Sequence, residues 1–263
     1  MLTFVGLGLY DERSITVEGR DALRASDRVF AEFYTSRLLG SSVEALEAHH
    51  SVDIEVRDRA AVEQYPDDIL DEAEERDVVF LTAGDPMIST THVDLRLRAA
   101  DRGIETRIVH GVTAETAACG LTGLQNYRFG KATTLPFEFA HGGTGVPDSV
   151  VATIEDNRER GLHTLVYLDI KIDDPGQPED AEQFMTADHA AGMLADDWED
   201  ALGVVVARAG SPDPVLAADH LSVLAEQNFG DPLHLLVIPG KLHLLEAEAL
   251  VAFADAPTHV LPE

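Results

Sequence analysis

The chain has 263 residues, 45% of them hydrophobic, enough for one large domain or two small ones with cores of their own. Its 48 Asp and Glu against 19 Lys and Arg leave a formal net charge of −29, which excludes a broad basic face for bare nucleic acid. The acids are dispersed through periodic apolar segments, so the balance describes a folded protein and excludes a disordered acidic tail. Such a surface suits concentrated salt, where a Debye length of about 3 Å at 1 M screens self-repulsion, and a halophilic source is expected. A single cysteine, Cys119, excludes an intrachain disulfide and fits a reducing compartment. No apolar stretch approaches the roughly 20 residues of a membrane span, and the start MLTFVGLG lacks the basic region of a signal peptide, so a cytoplasmic protein without membrane or nucleic-acid partners is expected.

The first apolar run, LTFVGLG at 2–8, predicts a strand that ends in a Gly6-Leu7-Gly8 turn. Glycines there let backbone approach a ligand, and Glu32, at the end of the next predicted strand (28–34), lies near the spacing of a ribose-binding acid. Asp11 stands where a dinucleotide fingerprint has its third glycine, so an NAD-dependent oxidoreductase remains only an alternative. A helix is predicted at 16–26, and His49-His50 falls in a polar helical stretch read as a solvated face.

After a helix predicted at 60–76 comes DVVFLT (77–82), which leads into Gly84-Asp85-Pro86. Asp is a preferred helix N-cap and Pro a preferred first helical residue, so the tripeptide predicts a strand-to-helix junction. The same junction aims backbone N–H groups and a carboxylate at the carboxyl end of a strand, where open α/β sheets hold ligands. His92, at the start of a helix predicted at 91–102, reads as a local hydrogen-bonding residue. A strand at 106–111 and a helix at 113–123 follow, and the domain division is placed between residues 112 and 113.

Farther on, strands are predicted at 163–170, 202–210 and 234–240, with helices at 148–160, 186–196 and 243–254. Two turn-rich loops, 137–149 and 169–184, interrupt them. The alternation implies an α/β protein with mostly parallel sheets. His234 opens an apolar strand and could present its ring at a sheet edge. No GxSxG elbow, HExxH or cysteine pair is present, which leaves no motif for a serine hydrolase or a zinc site.

Six blocks, in order, carry a resemblance: GLGLYDERSIT from Gly6, AEFYTS from Ala31, FLTAGDPMISTTH from Phe80, GLHTLVYLDIK from Gly161, VVARAGS from Val205 and FGDPLHLLVIPGKLHLLEAEAL from Phe229. Together they resemble the archaeal diphthine synthase family, a branch of the tetrapyrrole methylase superfamily of class III S-adenosylmethionine-dependent methyltransferases. The resemblance implies a two-domain α/β homodimer with the cofactor in the cleft between its domains. Position by position, it implies cofactor contacts at Leu9, Asp85, Ile88, Thr113, Ala114, Leu168, Ala209 and His234. The reaction implied is trimethylation of the amino group of the 3-amino-3-carboxypropyl side chain on a histidine of translation elongation factor 2. No catalytic residue is nominated, because alignment of a neutral amine with an activated methyl donor can suffice. Arg208 and Lys241 are the donors expected to meet the substrate carboxylate. Leu9 and Tyr10 replace the Pro-Gly of the loop found in tetrapyrrole-modifying members, which speaks against a porphyrin or corrinoid substrate.

Overall fold

The run LTFVG forms β1 (Leu2–Gly6), buried along its whole length, as a parallel strand flanked on both sides requires. A computed structural model describes residues 1–140, 145–171 and 182–261, and these divide into two units, Met1–Ala114 and Glu115–Glu263. In the first, β1 is followed by α1 (Val17–Ala25), β2 (Arg28–Glu32), α2 (Val43–His50), β3 (Glu55–Val56), α3 (Arg59–Glu63), α4 (Asp67–Glu75), β4 (Val78–Thr82), α5 (Val93–Asp101) and β5 (Thr106–Val109). The strands lie in the order β3-β2-β4-β1-β5 and every pairing is parallel. Val5, Leu7, Leu23, Val29, Leu46, Val79 and Leu81 form a core cluster of this unit. Each such side chain contributes about 1.5–3 kcal/mol when fully buried.

Local chemistry sets the helix limits. Thr16 caps α1, its hydroxyl accepting from the Gly19 amide at 3.0 Å. The single helix expected over 60–76 is two, because Pro66 brings no N–H and a fixed φ, so the chain turns between α3 and α4.

The second unit contains α6 (Ala114–Thr122) from its second residue onward, then β6 (Thr133–Leu135), α7 (Asp148–Glu159), β7 (Thr164–Leu168), β8 (Ile170–Lys171), β9 (Gln183–Phe184), α8 (Ala187–Trp198), β10 (Leu202–Ala207), β11 (Val215–His220), α9 (Leu221–Leu224), β12 (His234–Ile238) and α10 (Leu244–Phe253). Its main sheet runs β11-β10-β12-β7-β6. Here the expectation of mostly parallel sheets fails. Only β6 and β7 pair in parallel; β7 with β12, β12 with β10 and β10 with β11 are antiparallel. The link from β10 to β11 is too short for a crossover helix, so the chain reverses. β3, β6 and β11 escaped the sequence reading because they are short or only half-buried. Parts of both expected loops, residues 141–144 and 172–181, lie outside the described residues.

A buried polar cluster ties the second unit together. Glu246 and His163 are both fully buried. His163 donates from Nε2 to Glu246 at 3.1 Å and accepts the Gly240 amide on Nδ1 at 3.0 Å, which fixes a neutral ring. Glu246 also accepts from the amides of Gln125 (2.9 Å) and His243 (2.7 Å), joining the start of α10 to the loop after α6. Burial, the largest influence, would raise the Glu246 carboxyl, but the His243 and Gln125 amides and His163 outweigh it and hold it below its ordinary value. A depressed carboxyl contributes stability above the unfolded value of about 4.3, and that stability is lost as pH falls through the folded one. Glu246→Ala should therefore cost about 3 kcal/mol at neutral pH. In urea titrations the variant should also lose less stability than wild type on acidification below about pH 4.3.

Candidate functional site

In the first unit the chain leaves β1 toward β2 on one side and leaves β4 toward β5 on the other. Right-handed crossovers then put the two connections on opposite faces of the sheet, and the crevice outside the carboxyl ends of β1 and β4 is where open α/β sheets bind ligands. Three glycines make it. A methyl group added at Gly6 would lie 2.6 Å from the Gly111 amide nitrogen and closer still to the Gly84 carbonyl. One added at Gly111 would strike the same carbonyl and sit 2.9 Å from the Gly6 Cα. Gly8 and Gly84 exchange backbone hydrogen bonds of 3.2 and 2.7 Å, so the loops after β1 and β4 are zipped together. Gly84 itself, at φ +71°, would point a Cβ into open space.

Asp85 is buried directly above this contact. One carboxylate oxygen accepts the Met87 amide at 2.9 Å; the other accepts the Gly111 amide at 3.2 Å and His110 Nδ1 at 2.7 Å. The expected helix cap is thus a turn cap, and α5 begins only at Val93. The reason is local. Ser89 adopts a left-handed φ of 55°, and the Pro86 carbonyl receives Thr90 Oγ1 at 2.8 Å and His92 Nδ1 at 3.1 Å, so the helix cannot start there. Asp85 ties the loop after β4 to the loop after β5 and orders the site. His110 and Gly111 share this work and were missed in the sequence; a glycine directly after a strand end, in VHGVT, was the available signal.

The loop after β1 is pinned from outside the sheet. Asp11 accepts the Arg13 amide at 3.0 Å and its guanidinium at 2.9 Å, and His50 Nε2 donates to the Glu12 carbonyl at 3.2 Å. His50 is therefore buried and structural, unlike the solvated residue expected. Leu9 is half-buried, Ile88 is 44% exposed, Thr113 follows β5 and Ala114 opens α6, so these predicted residues all lie beyond the carboxyl edge.

Leu168, Ala209 and His234 belong to the second unit. Leu168 ends β7, Ala209 follows β10, and His234 opens β12 opposite Ala207. Since β12 runs against both neighbours, these positions gather at one end of that sheet. His234 sits in an interior strand rather than at a sheet edge. Its Nδ1 accepts the Ala187 amide at 3.0 Å and its Nε2 donates to the Asp231 carbonyl at 2.9 Å. Burial pushes the ring below its ordinary value, partly offset by the Asp231 carbonyl, so it is neutral with both nitrogens engaged. Arg208 donates to the carbonyls of Phe229 (2.8 Å) and Asp231 (3.2 Å). It braces backbone, contrary to the role expected for it with substrate. Lys241 is exposed.

The dinucleotide alternative finds no support. α1 begins eleven residues beyond the first glycine of the loop, so no helix N-terminus meets that turn. Glu32 is fully buried and accepts the amides of Tyr34 and Thr35, each at 3.0 Å, which removes it from any ribose. Among the described residues no group of His, Cys, Asp and Glu is placed to hold a metal ion.

The family profile of the tetrapyrrole (corrin/porphyrin) methylases matches residues 1–225. The chain belongs to this family. Similar methylases include the diphthine synthase of Halorubrum lacusprofundi, 69% identical over 265 residues covering both chains completely. The diphthine synthase of Haloarcula marismortui is 72% identical over 97% of this chain and 99% of that one. A crystal structure of diphthine synthase superposes with a TM-score of 0.86 at 40% identity over 98% of each chain. The two sequence relatives come from halophilic archaea, in keeping with the acid excess of this methylase.

The packing of the glycines makes a sharp contrast. Gly111→Ala places a methyl against backbone atoms that cannot yield and should cost about 3 kcal/mol. Gly84→Ala, despite its positive φ, meets no atom and should cost only about 1–2 kcal/mol. Urea denaturation of the two variants measures the difference.

Proposed function

We propose that this methylase uses S-adenosylmethionine to trimethylate the amino group of the 3-amino-3-carboxypropyl side chain on a histidine of elongation factor 2, the product being diphthine. The observation that carries this reading is the identity of 69% to a diphthine synthase across the whole of both chains. The site is compatible with the cofactor. Gly84 leaves open space beside a ligand, Leu9 and Ile88 offer apolar surface, and the turn from Gly84 is held rigid from within. When bound, S-adenosylmethionine supplies a methyl group activated on a sulfonium. Leu9, Asp85, Ile88, Thr113 and Ala114 of the first unit and Leu168, Ala209 and His234 of the second are the residues assigned to it. Asp85 acts there by fixing the backbone, since its oxygens already hold the Met87 and Gly111 amides.

The chain's own contribution to the reaction is alignment. His234 has both ring nitrogens committed and Asp85 has donors on both oxygens, so neither is free to act as a general base. The amine must arrive unprotonated, and proximity in a fixed pose supplies the acceleration. The acceptor's carboxylate requires a cationic donor; with Arg208 braced on backbone, Lys241 remains the nominee. The active form is proposed to be a homodimer in the cytoplasm, and no helix among the described residues is long and apolar enough to cross a membrane.

Methyl transfer from labelled S-adenosylmethionine should occur to elongation factor 2 carrying the aminocarboxypropyl histidine and not to the unmodified factor. Mass spectrometry should show the addition of three methyl groups at that residue. Equal incorporation into both forms would refute the substrate.

A further inference from the structure

His92 stands at the start of α5 with a fully buried side chain, between two acceptors. On one side Nδ1 lies 3.1 Å from the Pro86 carbonyl, inside the turn that follows Gly84. On the other, Nε2 lies 3.4 Å from Glu32 Oε1 and has no hydrogen-bond partner. A neutral imidazole carries one proton and can satisfy only one of the two. The Thr82 hydroxyl, 3.5 Å from Nδ1, can turn toward that nitrogen when it is bare. The ring therefore has two arrangements available within one packed cage.

We propose that His92 is a positioning residue that latches the turn of the cofactor site: a proton on Nδ1 holds the Pro86 carbonyl, whereas a lone proton on Nε2 goes to Glu32 and releases it. This rests on the assignment of that turn to the cofactor. Carboxylates accept hydrogen bonds more strongly than carbonyls, so a neutral ring favours Glu32. The doubly protonated ring holds both. The Glu32 carboxylate is fixed in place, because Oε2 accepts two amides and Oε1 accepts the Thr35 hydroxyl. The other groups facing the ring are Glu63 on α3, Asp94 on α5, and Tyr34, whose ring Arg59 covers at 4.9 Å. Burial, the largest influence, pushes the ring below its ordinary value against the pull of Glu32, the Pro86 carbonyl and Glu63. The latch is accordingly closed in acid and opens as pH rises through that lowered value.

The geometry supplies its own control. In Glu32→Gln the two backbone amides still require an oxygen at the Oε2 position, so the side-chain NH2 takes the Oε1 position and faces His92 Nε2. A donor there forces the proton onto Nδ1 at every pH and keeps the latch closed.

Two measurements on the full chain in molar KCl test this. Imidazole nitrogen NMR without cofactor should show His92 of wild type passing from the doubly protonated ring to a proton on Nε2 as pH rises, with its midpoint below the ordinary imidazole value of about 6.5. In Glu32→Gln the proton should remain on Nδ1 throughout. Calorimetry with S-adenosylmethionine should then show wild-type affinity falling about tenfold relative to Glu32→Gln across that transition, the ratio cancelling titration of the cofactor itself. A purely structural histidine predicts an affinity ratio between the two proteins that does not move with pH. Nδ1 protonation in wild type at all pH values would overturn the proposal, and wild type alone suffices for that result should Glu32→Gln not fold. A ring that switches as described, while both proteins bind cofactor equally, would overturn the assignment of the turn to the cofactor.

Discussion

The first unit depends on a close approach of three backbones. Gly6, Gly84 and Gly111 meet at the carboxyl edge of a parallel sheet, where a side chain on Gly6 or Gly111 would strike the Gly84 carbonyl. Asp85 binds the loop after β4 to the loop after β5 through the Gly111 amide and His110. The consequence is a preorganised surface. Loops that would otherwise lose conformational freedom on meeting a ligand are already fixed by hydrogen bonds among themselves. Alignment chemistry needs that rigidity, because a methyl transfer without a general base gains its rate from geometry.

The same economy governs the buried histidines. His163 and His234 each give one nitrogen a donor and the other an acceptor, which leaves a neutral ring with nothing unsatisfied. His50 reaches one carbonyl, and His92 alone among these four faces an acceptor from each nitrogen. An imidazole in the first arrangement stiffens a fold. An imidazole in the second has a choice, and in this chain that choice bears on the turn containing Asp85.

Much of this was legible in the sequence where one residue type answers one local demand. Apolar β-branched runs marked β1, β2, β4, β5, β7, β10 and β12, and the helix predicted at 16–26 matches α1 within a residue at either end. The Gly-Asp-Pro stretch was legible as a site but not as a shape. Asp85 satisfies amides two and twenty-six residues away, and only the first of these is local enough for a capping rule to find. Pairing direction in the second sheet was hidden for a related reason. Strands buried on both faces read as apolar runs whichever way they point, and the connection lengths alone betray the reversals. Arg208 shows the limit for charged residues: a sequence shows a cation in a glycine-containing loop, but not that backbone carbonyls already surround it.

The central claim is that the loops after β1, β4 and β5 form the first unit's seat for the methyl donor. Hydrogen–deuterium exchange with and without S-adenosylmethionine tests it most directly, because it reads backbone protection loop by loop. The account predicts slowed exchange in the segments around Gly8-Leu9, Gly84–Ile88 and Gly111–Ala114, with the rest of the first unit unchanged. Unaltered exchange in all three loops at saturating cofactor, with protection elsewhere in the unit, would contradict it.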